Sequence, residues 1–484
     1  MRHPVGYHPD AMTSRLLRDL TGQVGEAHVL ARPADLAAYA FDAFGASGER
    51  HMPDAVAFPA STEEVSGVVQ VCAHHGAPVV PRGAGTGYAG GAVPLRGGVV
   101  LNLARMNRVL GADPDALRVH VEAGVITAEV HRRAAQQGLY YPPDPGSSTT
   151  STIGGNIACN AAGPHALRYG VTADYLLGAT CVLADGRILR VGEGAGGGED
   201  LLRLLPQSEG TLAVVTEALL RLIPAPAART TIAAQFRDME SAANAVAAIA
   251  TAQLVPAAIE FLDRAAMRAV ARTGLAAFPD DAGALLIVEL EGELGTVTDE
   301  AQAVHGALIT AGAQHVETAA DAADAKRLWA ARKAISAAVA TVMVGKVNED
   351  VVVPRDRIAE LVAHTEVLGE EHEVPVVNFG HLGDGNLHAT FLIDPRRRGD
   401  RERAEAAAAG LFEMVLDMGG SVTGEHGVGY TKLPYLGRQI GPAGVELMGR
   451  IKKALDPRGL LNPGKKVPEP SDVVAAPEPV AAHA

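Results

Sequence analysis

The sequence predicts an α+β protein of more than one domain, on three observations. At 484 residues the chain exceeds what one hydrophobic core usually supports. Two apolar runs between Tyr175 and Val191 flank Asp185-Gly186, the strongest short hairpin signal, so part of the sheet is antiparallel. Beyond Pro224 and Pro226, strand-like runs such as Ala257 to Leu262 and Ala284 to Leu290 alternate with Ala-rich helical stretches such as Met239 to Ala252, which points to a broad sheet in a second domain.

Taken in order, residues 1–50 are weakly periodic and read as a helical lead-in. Ser61 and Glu64 form a capping box, after which Val65, Val68, Val69 and Cys72 recur at helical spacing until Gly76. Leu117 to Glu122 alternates with period two, and Thr127 to Gln137 reads as a helix closed by Gly138. A first domain over 51–225 and a second over 226–466 follow from the boundary at Pro224. The tail, 467–484, is dominated by Pro, Ala, Val and Glu without periodicity and is expected to be disordered.

Composition excludes several functions. With 42 basic against 56 acidic residues, a net charge of -14 and no dense Lys/Arg stripe, nucleic acid is not an expected partner. Cys72, Cys159 and Cys181 stand far apart, so neither a disulfide framework nor an iron–sulfur cluster can be built from them. The N-terminus lacks the apolar run of a signal peptide, and the longest apolar stretch, Ala337 to Val344, is too short for a membrane span. A cytoplasmic address is expected, with peripheral association at the inner membrane face and homodimerisation left open.

Two glycine-rich segments carry the first chemical signal. Val79 and Val80 lead into Pro81-Arg82-Gly83-Ala84-Gly85-Thr86-Gly87, where successive backbone N–H groups can turn around an anion. Gly85, Gly87 and Gly90 satisfy G-x-G-x-x-G, but Pro94, Gly97 and Gly98 would break the helix that a Rossmann site requires. The loop alone reads either as a phosphate cradle or as a glycine-rich turn. A second segment favours the cradle: Pro142 to Pro145 lead into Thr152-Ile153-Gly154-Gly155-Asn156-Ile157-Ala158, then Asn160 and Gly163, read as a loop that lets backbone approach a flat ligand.

The second signal is a histidine constellation. His381 and His388 flank a tight Gly383-Asp384-Gly385-Asn386 turn that can bring both imidazoles to one divalent cation. Glu425 and His426 follow between Gly424 and Gly427. A histidine pair across a turn is also common as plain hydrogen-bonded structure; agreement between two separate segments favours a His381, His388, Glu425 metal site with open positions, suited to zinc or manganese.

PRGAGTG, the IGGN run, Arg168-Tyr169-Gly170-Val171-Thr172 and Gln207-Ser208-Glu209-Gly210-Thr211 together resemble the FAD-binding domain of vanillyl-alcohol-oxidase type flavoproteins. GHLGDGNLH followed by GEHGVG resembles the C-terminal domain of the FAD-linked D-lactate, glycolate and D-2-hydroxyglutarate dehydrogenases, and the likeness spans roughly residues 52 to 466. The resemblance implies that Pro81, Arg82, Gly83, Ala84, Gly85, Thr86 and Gly87 hold the FAD pyrophosphate. It also implies that Pro145, Thr152, Gly155, Asn156, Ala158, Gly163, Glu209, Val215 and Asn462 surround the rest of the cofactor. Thr86 and Tyr88 stand in the loop where some relatives carry a flavin-linked His or Cys, so the flavin is expected to be non-covalent. By the same resemblance Arg332, in Trp329-Ala330-Ala331-Arg332, binds the substrate carboxylate, with Ser336, Lys346 and Asn386 as further substrate contacts.

The implied activity is oxidation of a small D-2-hydroxy acid, D-lactate first, with glycolate and D-2-hydroxyglutarate as alternatives. The cation lowers the hydroxyl pKa, His426 takes its proton, Arg332 fixes the carboxylate and flavin N5 accepts hydride. The chain has no onward electron carrier, so a quinone, cytochrome, electron-transfer flavoprotein or iron–sulfur subunit must act as acceptor. Rival readings are a metal-dependent hydrolase using only His381, His388 and Glu425, and a flavin-free subunit of a larger oxidase.

Overall fold

The computed structural model describes residues 11–43 and 51–468. Parts of the lead-in and all but the first two residues of the expected disordered tail lie outside the described residues. Among the described residues, no helix is long and apolar enough to cross a membrane.

The first unit holds two main sheets. In one, β1 (Val29–Leu30), β2 (Ala55–Ala57), β3 (Val79–Arg82) and β4 (Val99–Asn102) run in the order β1-β2-β4-β3, with β2 and β3 parallel to β4. The helix Thr62–His75 links β2 to β3 and is capped as its sequence predicts. Ser61 accepts from Glu64 N at 3.2 Å, and the Glu64 carboxylate accepts from Ala60 N at 2.8 Å. Val65, Val68, Val69 and Cys72 are fully buried, and the helix Ala11–Val24 packs Leu16, Leu20 and Val24 into the same core.

The other sheet is antiparallel, β5-β6-β10-β8-β9, made of β5 (Val109–Asp113), β6 (Arg118–Glu122), β8 (Leu176–Val182), β9 (Ile188–Gly192) and β10 (Val214–Arg221). β8 and β9 form the hairpin across Asp185-Gly186, where Gly186 adopts φ 85°. A small pair, β7 (Leu139–Tyr140) and β11 (Ile223–Pro224), closes the unit. No helix follows the glycine loop after β3. The IGGN run, by contrast, is not a loop: Ile153–Cys159 is a helix. Two adjacent glycines disfavour a helix, but a Cβ at Gly154 would lie 2.8 Å from Ala123 Cβ, so close docking on the sheet decides the local structure.

The second unit is a seven-stranded antiparallel sheet, β15-β12-β14-β13-β17-β18-β16. Its strands are β12 (Ala228–Phe236), β13 (Ala258–Asp263), β14 (Ala284–Gly292), β15 (His315–Thr318), β16 (Gly345–Val352), β17 (Val376–His381) and β18 (Asn386–Ile393). Period-two alternation gives it two unlike faces. Ile232, Phe236, Ile259, Phe261, Leu286, Val288, Val351, Leu387 and Phe391 point into one core, covered by helices that include Met239–Thr251, Leu294–Thr310, Ile358–Glu371 and Asp400–Asp417. The opposite face begins apolar under the helices Arg264–Ala271 and Ala322–Val342 and then turns polar. Glu260 pairs with His381, His381 with Asn386, Phe379 with His388 and His388 with Asp350, so these side chains share that face.

After the helix Leu433–Leu455 the chain returns to the first unit. Leu460 and Leu461 join its core, and Asn462 N donates to Val79 O at 2.8 Å. Replacing Ser61 with Ala removes one N-cap acceptor and should cost about 1 kcal/mol of the first unit's stability, read as a lower denaturant midpoint at unchanged slope.

Candidate active site

The polar face is organised by carboxylates buried in otherwise apolar strands. Glu260, fully buried on β13, reaches His381 Nδ1 with one oxygen at 2.5 Å and Arg332 Nε with the other at 2.6 Å. Burial alone would raise its carboxyl pKa, but His381 and Arg332 outweigh burial and hold it below the ordinary value. Arg332 lies on the helix Ala322–Val342, whose start is capped by Asp321 accepting from Asp324 N at 2.9 Å. Its guanidinium stands 5.1 Å from the Phe379 ring centroid. With Nε committed to Glu260, the planar fork is oriented and its terminal nitrogens can meet a second anion.

The hairpin of β17 and β18 delivers the two imidazoles. Gly385, at φ 84°, abuts Val353 O so closely that a Cβ would not fit, which explains the glycine in the tight turn. His381 Nε2 and His388 Nε2 lie 3.4 and 3.5 Å from the same oxygen of Glu425. Burial opposes charge on His381, but Glu260 and then Glu425 raise its pKa well above the usual imidazole value. Burial pushes His388 down to about 3, so it is neutral, and its Nδ1 has no hydrogen-bond partner. Glu425 is pushed down to about 2, because His381 and His388 overcome its burial.

The loop carrying Glu425 and His426 hangs between two carboxylates, one from each unit. Asp350 Oδ2, on β16, accepts from the backbone N–H groups of Gly424, Glu425 and His426 at 2.8, 3.0 and 3.0 Å and from Thr423 Oγ1 at 3.0 Å. Successive amides around one oxygen form an anion nest. From the first unit, Glu209 accepts from Val428 N at 2.8 Å and Gly429 N at 2.7 Å, while Tyr430 N donates to Ala89 O at 3.1 Å. The glycines allow this approach: a Cβ at Gly424 would strike Asn386 Nδ2, one at Gly427 would lie 2.9 Å from Glu209 Oε1, and one at Gly429 would strike Ala89 O. His426 is thereby stacked between His388, at 5.2 Å between centroids, and Tyr88, at 5.0 Å. Burial lowers the His426 pKa, so the imidazole is neutral.

The residues expected around a cofactor gather beside this site. The loop Gly83 to Gly87 follows Pro81 and Arg82, and Gly87 opens onto free space. Arg82 turns back under the loop, donating to Phe41 O at 2.8 Å, and a Cβ at Gly85 would strike its guanidinium. Thr152 Oγ1 occupies the space a Cβ at Gly83 would need, so the helix bearing Gly155, Asn156 and Ala158 abuts the loop. Asn156 donates to Thr127 Oγ1 at 2.7 Å, Ala158 O accepts from Glu209 N at 2.9 Å, and Asn462 donates to Gly91 O and Glu209 O at 2.9 and 2.7 Å. Gly163 packs against Asp144 O and Pro145 N, and Val215 is buried in β10.

The expected substrate contacts are less uniform. Asn386 spends its amide on Asp350 Oδ1 at 2.6 Å, leaving its Oδ1 without a partner. Ser336 is exposed one turn after Arg332. Lys346, on the edge strand β16, places Nζ 5.5 Å from the Tyr88 ring centroid. Three positioning residues escaped the motifs: Glu260, Asp350 and Lys432, whose buried Nζ donates to Asp350 O at 2.7 Å. The available signal was charge inside apolar strands, Ala-Ile-Glu-Phe-Leu and Val-Asn-Glu-Asp-Val-Val, because buried carboxylates require partners.

Replacing Glu209 with Gln turns one of its two acceptor oxygens into an NH2 group facing a backbone amide donor. The mismatch should cost about 1–3 kcal/mol. Hydrogen exchange at Val428 and Gly429 should then accelerate by roughly 5- to 150-fold, with distant amides unchanged.

Comparison with known proteins places the chain. A family model described as FAD binding domain matches residues 53–192, and one described as FAD linked oxidases, C-terminal domain, matches residues 225–466. Glycolate oxidase subunit GlcD of Bacillus subtilis (strain 168) is 40% identical over 417 residues, covering 86% of this chain and 89% of that one. GlcD of Escherichia coli (strain K12) is 36% identical over 465 residues, covering 96% and 93%. A D-lactate dehydrogenase of Anaerostipes hadrus is 35% identical over 427 residues, covering 85% and 89%. In fold the chain is similar to p-cresol methylhydroxylase, with TM-score 0.79 at 19% identity, covering 94% of this chain and 97% of that one. The 4-ethylphenol oxidase of Gulosibacter chungangensis gives TM-score 0.77 at 21% identity, covering 95% and 98%. With both halves matched in order and relatives aligned along most of its length, the chain belongs to the FAD-linked oxidases and is an FAD-dependent hydroxyacid dehydrogenase.

Proposed function

We propose that this FAD-dependent enzyme oxidises a D-2-hydroxy acid, D-lactate first and glycolate or D-2-hydroxyglutarate as alternatives, to the 2-oxo acid. The observation that carries the proposal is the convergence of Arg332, the His381, His388, Glu425 donor set and neutral His426 on one sheet face beside the glycine loop. Bound FAD supplies a two-electron acceptor, and a divalent cation, zinc or manganese, supplies a Lewis acid for the substrate hydroxyl.

The residues present fit both groups. For the flavin, glycines without room for a Cβ pack the loop against Arg82 and Thr152, while Gly87 leaves its outer side open. For the cation, two imidazole nitrogens and a carboxylate oxygen face one another, and Glu260 on His381 Nδ1 leaves Nε2 as the ligand atom.

In this reading Arg332 grips the substrate carboxylate with its terminal nitrogens. His426 takes the hydroxyl proton while the α-hydrogen leaves as hydride with both electrons, so the proton and the hydride depart to separate acceptors. Burial keeps His426 neutral and able to accept. Electrons then pass to a separate acceptor, a quinone, cytochrome, electron-transfer flavoprotein or iron–sulfur subunit; the naming of two relatives as glycolate oxidase subunits supports a polypeptide partner.

Anaerobic flavin bleaching tests the reading directly. D-2-hydroxy acids should bleach the purified protein, L-isomers should not, and chelation should slow the reaction; bleaching by L-acids alone would defeat the proposal. His426→Ala should retain flavin but lose about 10²–10⁴-fold in bleaching rate. Glu260→Gln should weaken metal affinity about 10- to 100-fold, measured by competition with a chromogenic chelator.

A further inference from the structure

Tyr88 follows the last glycine of the cradle, yet its ring belongs to the site on the second unit. One neighbour is His426, at 5.0 Å and 31° between planes; another is the Lys346 ammonium, 5.5 Å from the ring centroid. A line of contacts therefore crosses the sheet face: Arg332 over Phe379, then His388 against Phe379, His426, Tyr88 and Lys346. Cations stand at both ends. Arg332 is held by Glu260 of β13, and Lys346 lies on β16, three strand spacings or about 14 Å across the sheet and offset by six residues, roughly 20 Å, along β16 from Val352 in the row of Glu260; both side chains are long.

The two cations are held differently. Arg332 is fixed by Glu260. Lys346 has no carboxylate partner among the described residues; burial lowers its pKa, and its recorded contact is the face of Tyr88. A ring face attracts an ammonium less strongly than a carboxylate does, so Lys346 is occupied but not neutralised.

We propose that Tyr88 is a specificity-determining residue that makes the pocket select monocarboxylic 2-hydroxy acids over dicarboxylic ones. The inference rests on the reading of the site given under Proposed function. With the first carboxylate at Arg332, the substituent on C2 extends towards the other end of the row. There the Tyr88 ring fills space and engages the Lys346 ammonium, which suits a hydrogen or methyl substituent. Without the ring, the end of the pocket opens and Lys346 is free to pair with a second carboxylate, as in a four- or five-carbon diacid.

The test compares kcat/KM for D-lactate and D-malate in the flavin-loaded protein, normalised to bound flavin. Tyr88→Ala should shift the ratio towards the diacid by about tenfold or more, and Tyr88→Leu should do so less, which covers the case in which the smaller variant folds poorly. Tyr88→Phe, keeping the ring, should retain the wild-type ratio. Adding Lys346→Met to Tyr88→Ala should abolish the shift. An unchanged ratio in both Tyr88→Ala and Tyr88→Leu, or a shift that survives loss of Lys346, overturns the inference while leaving the site reading intact. A wild-type protein inert towards every 2-hydroxy acid overturns that reading and the inference with it.

Discussion

The site depends on five backbone amides and one hydroxyl finding two buried carboxylates. Asp350 and Glu209 take up the loop from Thr423 to Gly429 from opposite sides, one from each unit. An ionised carboxylate in a protein interior carries a desolvation penalty of several kcal/mol. Charge-assisted hydrogen bonds of about 1.5–3 kcal/mol each offset it, helped at Asp350 by Lys432 at 3.9 Å and at Glu209 by Lys466 at 3.7 Å. The loop has no helix or strand of its own, and these contacts fix Glu425 and His426 instead.

The same device recurs on the helix that carries Arg332. Glu260 holds Arg332, and one turn earlier Glu289 accepts from Trp329 Nε1 at 2.8 Å, so two sheet carboxylates anchor the helix at successive turns. Glu289 also meets His165 Nε2 of the first unit at 3.0 Å, and Tyr169 donates to Glu291 at 2.8 Å. The arginine helix is thus fastened to the sheet and, through Glu289, to the unit bearing the glycine loop. Relative movement of the units would disturb the placement of both His426 and Arg332.

What could be read from the sequence was whatever is written locally. Ser61 with Glu64, and Asp185 with Gly186, encode a cap and a turn within a few residues, and both form. His381, His388 and Glu425 were legible because tight glycine turns frame them, and the structure brings them together. Glu260 meets His381 across 121 residues of chain, and Glu209 meets Val428 across 219, so no local pattern announces either contact. The Ile153–Cys159 helix was misread as a loop because glycine propensity was weighed without the sheet it docks on. Asn386 stood in the right motif, but its amide serves Asp350.

His381 and His388 differ in protonation, because nearby carboxylates outweigh burial at the first ring whereas burial prevails at the second. Glu260 has few other obligations, so beside His381 it draws a proton onto the ring. Asp350 lies 3.8 Å from His388 Nδ1, but its oxygens already accept from Asn386, Thr423 and three amides, and His388 stays neutral. A metal ligand must offer a lone pair. For the proposed cation, His388 would offer one as it stands, whereas His381 would give up its Nε2 proton, leaving a positive charge between Glu260 and Glu425 as before. Burial thus keeps His388 neutral in spite of Asp350, whose main task is to hold the loop, so substituting Asp350 would disturb above all the placement of Glu425 and His426.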